Sequence, residues 1–290
     1  SSLQAFNYIT KQEKTSQVWY EATFWKALIN SNLGQKNLAH SIVEQAINKE
    51  SITNEYKSKL YLAKSEINYS SKEYDSLIFN LKNSINFSKD KNQNARSNFI
   101  LGQVYMQKGQ KDSSKVYFTK AINLHKNKSS GIVVNSKLFN LNLNKDSNEN
   151  DFRKLSLDIR SFDHIPRINY YNAKKLLLIN EDDKAKKLLK QAIRINKKDK
   201  NLFTNAYNEL FLNELKNKEY LSSSNYLDTL ITYYDTNSKS YLVLNEQREK
   251  LNLISDLVKQ NKEIDSLIYM SQFSDEELNI ILINKEKELN

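Results

Sequence analysis

Residues 95–126, ARSNFILGQVYMQKGQKDSSKVYFTKAINLHK, constrain the fold more than any other stretch of this chain. Leu101 and Gly102 are followed one helical turn later by Tyr105, then by Gly109, and a second amphipathic segment carries Phe118 and Ala121. Two helices that touch along their length need small residues where they touch and large rings in the gaps between. Gly102 and Ala121 meet the first demand, and the aromatics meet the second. Gly109 suits a helix C-terminus, where a residue with positive φ is needed and glycine adopts it without steric cost. A phosphate-cradling loop has a different pattern: it follows a strand and continues into Lys-Ser or Lys-Thr. These glycines lie in and just after a helical pattern, so the spacing predicts packed helices.

The spacing returns elsewhere. YEATFWKALINSNLGQKNLAHSIVEQAI places Ala27 where Gly102 stands, Gly34 at the turn, and Ala39 and Ala46 in the second helix. KLYLAKSEINYSSKEYDSLIFNLKNSI is more degenerate, with Ser65 as the small residue and Tyr74 after the turn. INYYNAKKLLLINEDDKAKKLLKQAIRI restores it with Ala173, Ala185, Leu189 and Ala192, and NAYNELFLNELKNKEYLSSSNYLDTLI is a weaker copy. Each copy resembles the tetratricopeptide pattern of two antiparallel helices in about 34 residues. The resemblance implies an all-α, right-handed superhelix of about five helix pairs. The expected organisation is a half repeat plus three repeats over 1–128, a degenerate helical pair over 129–165, two further repeats over 166–236 and non-repeat helices over 237–290. In that last segment YLVLNEQREKLNLISDLVKQNKEIDSLI has apolar residues three and four apart, which predicts a long amphipathic helix. Ser274 and Glu277 follow at capping-box spacing. These helices are expected to cap the array, because an end repeat must cover its exposed apolar face.

Composition agrees and excludes alternatives. Four Gly and one Pro in 290 residues are too few for a fold built on strands and tight turns. Cysteine is absent, which removes disulfides and thiolate metal sites. No run of about 18 apolar residues is present to span a membrane. The formal net charge of +10 raises nucleic acid as a partner, but only 6 of the 44 basic residues are Arg, the side chain that reads bases and phosphates in bidentate fashion. Residues 1–128 carry 19 basic and 10 acidic side chains, whereas 246–290 carry 6 basic and 10 acidic, a distribution better suited to protein partners than to a duplex.

Candidate chemistry is sparse. His40, His125 and His164 are far apart and none has a partner at metal-ligand spacing. Ser161, Asp163 and His164 form a local string, whereas triad members converge through the fold, and no nucleophile elbow accompanies them. Glu181, Asp182 and Asp183 sit at an inter-helix turn, where carboxylates favour the N-terminus of the next helix. No enzyme, cofactor or metal site is therefore expected.

The groove remains. The tetratricopeptide resemblance implies that the first helix of each pair lines a concave face. Projecting the register brings Lys59, Leu62, Glu66 and Tyr69 to that face, then Arg96, Phe99 and Gln103, then Arg167, Tyr170 and Lys174. Aromatic residues and Arg are what binding hot spots favour. The Lys-Asn-Lys-Arg set by which some relatives clamp a C-terminal carboxylate is not present at these positions.

A narrower resemblance rests on FNYIT (6–10), YEATFWKA (20–27), YYNAKKLLL (170–178) and the closing EIDSLIYMSQFSDEELNIIL (263–282). The order of elements is similar to the tetratricopeptide lipoproteins of gliding motility and type IX secretion in Bacteroidota, the SprE/PorW type. That resemblance implies a non-catalytic component at the periplasmic side of the outer membrane, linking the secretion translocon to periplasmic ring or motor proteins. It further implies that this stretch is an internal portion of a longer protein, with any lipid anchor outside it. The alternatives are a cytoplasmic peptide-binding adaptor and an RNA-binding helical-repeat protein.

Overall fold

The computed structural model describes residues 2–12, 16–128, 130–158, 162–195, 199–274, 276–281 and 283. Among them every regular element is helical. Helix α1 (Ser2–Gln12) precedes six helix pairs: α2 (Gln17–Asn32) with α3 (Lys36–Ile47), α4 (Asn54–Ser70) with α5 (Tyr74–Phe87), α6 (Lys91–Gln107) with α7 (Lys111–Leu124), α8 (Gly131–Leu143) with α9 (Glu149–Leu157), α10 (Ile165–Leu178) with α11 (Asp182–Ile195), and α12 (Lys200–Lys216) with α13 (Tyr220–Ile231). The long helix α14 (Lys239–Met270) follows. The chain forms two compact units, residues 1–164 and 165–290.

Local chemistry sets the helix ends. The side chains of Ser16, Thr53, Asp90, Ser130 and Ser238 each accept a backbone N–H in the first turn of the helix that follows. Inside five of the six pairs a residue just after the first helix takes positive φ: Gly34, Lys72, Gly109, Asn180 and Lys218. The next N–H then reaches back to a carbonyl of the last turn, as in Gln110 N to Tyr105 O at 2.9 Å, Glu181 N to Leu176 O at 3.0 Å and Glu219 N to Glu214 O at 2.9 Å. This is a Schellman cap repeated from pair to pair. Gly109 accordingly closes a helix. Ser274 and Glu277 also form the reciprocal capping box, with Ser274 N donating to Glu277 Oε2 at 2.9 Å and Glu277 N to Ser274 Oγ at 3.4 Å.

One packing register runs through all six pairs. The buried positions are Ala27, Val43 and Ala46; Ser65, Leu81 and Ser84; Gly102, Phe118 and Ala121; Ser136, Phe152 and Leu155; Ala173, Leu189 and Ala192; and Phe211, Leu227 and Leu230. The first is the close-approach position, the second packs on it from the partner helix, and the third lies one turn further along that partner helix. At Gly102 the approach is tightest: a Cβ there would lie 2.6 Å from two carbons of the Phe118 ring. Ser114 Oγ donates to the Gly102 carbonyl at 2.7 Å, and Ser223 Oγ makes the matching bond to Phe211 O at 3.1 Å. The degenerate pair keeps this register, with Leu155 where most pairs place Ala or Ser. The last pair inverts it, with the bulky Phe211 at the small position, which is why its sequence reads as the weakest copy.

Helix α14 departs from a simple cap. Its first half packs on α13 through Leu244 and Leu251, and Ser255 Oγ donates to Tyr220 O at 3.1 Å. Beyond Ser255 no described residue of the helix is buried.

Candidate functional site

The first helix of a pair shows its neighbour pair one face that no second helix covers. In unit 1 those faces of α2, α4 and α6 border a cleft of about 1250 Å³, whose lining also includes His125 and Ile132 of α8. Phe24, Trp25 and Leu28 come from α2, Leu62, Glu66 and Tyr69 from α4, and Gln93, Arg96, Ile100, Gln103 and Gln107 from α6. The apolar side chains form patches on α2 and α4, and Tyr69 is 61% exposed. Several polar groups are already engaged. Asp90 caps α6 through Asn92 N at 2.8 Å, Gln93 Nε2 donates to Ser58 Oγ at 2.6 Å, and Gln107 Nε2 donates to Tyr74 Oη at 2.9 Å. Arg96 and Glu66 differ: among the described residues neither takes part in an ion pair within 4.0 Å. The cleft therefore offers an uncommitted cation and an uncommitted anion beside exposed aromatic surface.

Of the ten residues projected onto the groove, Leu62, Glu66, Tyr69, Arg96 and Gln103 line this cleft. Phe99 does not. Its ring packs 5.8 Å from Phe118 and 6.1 Å from Phe139, so it fills the joint between α6, α7 and α8. Lys59 is also absent from the lining. Its ammonium lies 3.1 Å from Glu55 and 3.6 Å from Glu21. Burial opposes the Lys59 charge, but the Glu55 and Glu21 carboxylates more than compensate and raise its pKa above that of an ordinary lysine.

The three projected residues of unit 2 are likewise spent within the chain. Arg167 Nη2 lies 2.7 Å from Asp199 Oδ2. Tyr170 is buried, and burial first, then the Glu209 carboxylate beside it, push its phenol well above the usual value. Lys174 sits 3.5 Å from Glu209 and over the Tyr170 ring. These contacts bind α10 to α12. In the acidic turn, Glu181 lies 3.2 Å from Lys184 and Asp182 lies 3.5 Å from Lys216. Of the local Ser-Asp-His string, Ser161 lies outside the described residues.

The Arg167–Asp199 contact carries a stability prediction. Asp199 also caps α12, accepting Leu202 N at 3.1 Å. Burial raises its carboxyl, but the Leu202 N–H and the Arg167 guanidinium outweigh that and hold it below the usual carboxylate range. Asp199→Ala is expected to cost unit 2 about 1–2 kcal/mol at pH 7. A depressed carboxyl stabilises above its unfolded pKa, and that contribution fades as pH falls through the folded value. Denaturation midpoints of parent and variant should therefore converge in acid.

Phe24, Trp25 and Leu28 were not among the projected residues. The signal was present: the register that starts from Ala27 places Phe24 and Leu28 on the same face as Leu62 and Glu66.

Comparison with known proteins agrees with this geometry. The family model described as Tetratricopeptide repeat matches residues 95–128. No curated protein is significantly similar to the chain in sequence. Among solved structures, the chain is similar to a tetratricopeptide repeat protein from Parabacteroides merdae, with a TM-score of 0.61 at 11% identity, over 87% of this chain and 91% of that one. It is similar to the C-terminal part of a TPR repeat-containing protein from Cytophaga hutchinsonii, with a TM-score of 0.52 at 13% identity, over 83% and 92%. A chain of the APC/C hetero-tetramer Cut9–Hcn1 superposes with a TM-score of 0.54 at 12% identity, over 85% of this chain and 45% of that one. With one repeat matched in sequence and one packing register shared by all six pairs, the chain has the tetratricopeptide-repeat fold.

Proposed function

We propose that this protein is a non-catalytic scaffold that holds a segment of another protein in the unit 1 cleft. The observation that carries the proposal is the lining itself: exposed Trp25 and Tyr69, with Phe24, Leu28 and Leu62, beside the unpaired Arg96 and Glu66. At about 1250 Å³ the cleft exceeds the roughly 300–1,000 Å³ of small-molecule sites, and its walls are helix faces of the kind that accept peptide side chains. The finer setting rests on the resemblance of the segments quoted above. It is the periplasmic side of the outer membrane, where the scaffold would join the type IX secretion translocon to ring or motor components and support gliding.

The cleft can be tested without knowing the partner. Peptides selected on the full chain from a displayed random library should quench or shift Trp25 emission, and Trp25→Phe should remove the signal because the other tryptophan, Trp19, is buried. Tyr69→Ala should speed peptide dissociation by the equivalent of roughly 1–3 kcal/mol. Arg96→Glu should slow association of acidic peptides and change its salt dependence. Unchanged rates in both folded variants would mean the cleft is idle. Fractionation of the native host tests the setting: a protein found wholly in the cytoplasm, with no secretion component retained on it, is not an envelope scaffold.

A further inference from the structure

The second half of α14 carries an apolar stripe that no described residue buries. Leu253, Ile254, Leu257, Ile264, Leu267 and Ile268 expose between 43% and 69% of their surface. No described residue from Asp256 to Met270 is buried. The stripe is ordered as a heptad. With Ile254 at position a, Leu257 falls at d, Asn261 at a, Ile264 at d and Ile268 at a, while Leu253 and Leu267 at g widen the seam.

We propose that this half-helix is a self-association surface, and that its occupant is the same helix of a second copy, parallel and in register. Three features select that occupant. Ile254 at a with Leu257 at d is the combination that favours two parallel strands; Ile264 at the next d leans toward larger assemblies, and the polar Asn261 at a holds the state to a dimer. Asn261 at a single a position can hydrogen-bond across the axis to its own counterpart only when the two helices are parallel and aligned, and against an apolar partner it would lie buried without a mate. The area is also sufficient. Six aliphatic side chains each exposing about half their surface offer on the order of 600 Å² per copy, so a pair buries about 1,200 Å², the lower bound of a stable specific interface. Charge does not oppose pairing, because Asp256, Glu263 and Asp265 stand against Lys259 and Lys262 along the exposed half. Leu251 and Ser255 pack the first half of α14 on α13, and the stripe lies on a different face of the helix from these two residues.

The chain contains no cysteine, so a single introduced thiol reports the geometry without interference. Sedimentation equilibrium of the full chain should show a reversible dimer. Leu257→Asp, at an exposed position that leaves the helical circular dichroism unchanged, should weaken it at least tenfold. Ile268→Cys should form a disulfide with its own counterpart under mild oxidation, since facing a positions in a parallel pair lie within disulfide reach. Ser266→Cys, on the outer face, should not. Asn261→Ile should tighten association and admit species larger than dimers, because the polar residue that fixes the state is gone. A chain that stays monomeric at 100 μM by this measurement (about the concentration where a weak pair would show) overturns the proposal. So does a dimer indifferent to Leu257→Asp, or one in which Ile268→Cys does not cross-link, which would place the contact elsewhere or make it antiparallel.

Discussion

Phe118→Ala should destabilise unit 1 by about 3–5 kcal/mol, the range for losing a fully buried phenylalanine with little collapse around the void. Collapse is limited because the ring lies on Gly102 from below and is flanked by Phe139 at 5.2 Å and Phe99 at 5.8 Å. Gly102→Ala meets the same joint from the other side. The new methyl would sit 2.6 Å from two ring carbons that cannot swing away. Overpacking of that kind costs about 1–3 kcal/mol, against roughly 1 kcal/mol gained in helix propensity. The informative variant is the double one. In Phe118→Ala the methyl at 102 enters the void and regains its propensity benefit, so the two changes should couple by about 1–2 kcal/mol rather than add. Repeat arrays need not unfold in one step, so amide exchange in α6 and α7 is the better readout than a global midpoint. Strict additivity there would mean that Gly102 and Phe118 are not in the contact described.

That joint also shows what was legible in the sequence and what was not. The small residues and aromatics that make two helices touch are local, repeated and few, so Gly102, Ala27, Ala173 and their partners announced the fold. The degenerate pair was harder to read because Ser136 and Leu155 meet the same steric demands with different residues. The groove was legible only in part. Register alone places Phe99 on the concave face, but the neighbouring pair presents Phe139 to it, and a ring follows its best packing partner over its nominal position. The same holds for charge. Lys59, Arg167 and Lys174 looked available as cations, yet each has a carboxylate from another helix within 3.6 Å. Such partners are distant in sequence, and only the fold brings them together. Trp25 and Phe24 were missed because the projection began one pair too late. The long final helix was expected, but how far the array supports it depends on where α13 ends, which periodicity does not report.

Removing the partner of Glu214, the most deeply buried carboxylate among the described residues of unit 2, should have the second large effect. Glu214 of α12 has a side chain only 4% exposed, and Lys186 of α11 reaches it with Nζ 2.6 Å from Oε1. The hydrogen bond to Glu214, ahead of the opposing cost of burial, holds the Lys186 ammonium above the usual lysine value. The charge on this side of the pair thus persists into strongly alkaline solution, and its contribution fades only as pH rises through that raised value. Glu214 stands where the third, fourth and fifth pairs have Tyr105, Phe139 and Leu176, while the first and second have the buried Asn30 and Asn68, so the position takes either an apolar side chain or a buried polar one, and only here a carboxylate. Lys186→Met keeps the length of the side chain and removes its charge, leaving the carboxylate without a mate. Breaking a buried pair in this way costs about 3–5 kcal/mol, and the lower end applies because the Lys186 side chain is 30% exposed. Lys186→Met combined with Glu214→Leu should recover most of the loss or exceed the parent, because a well-packed apolar pair of similar volume replaces both desolvation costs. Urea unfolding followed by exchange in α11 and α12 separates the cases. A single variant as stable as the parent would show that solvent reaches Glu214. A double variant no better than the single would show that the loss came from the packing of the Lys186 stem, with no part played by the orphaned charge.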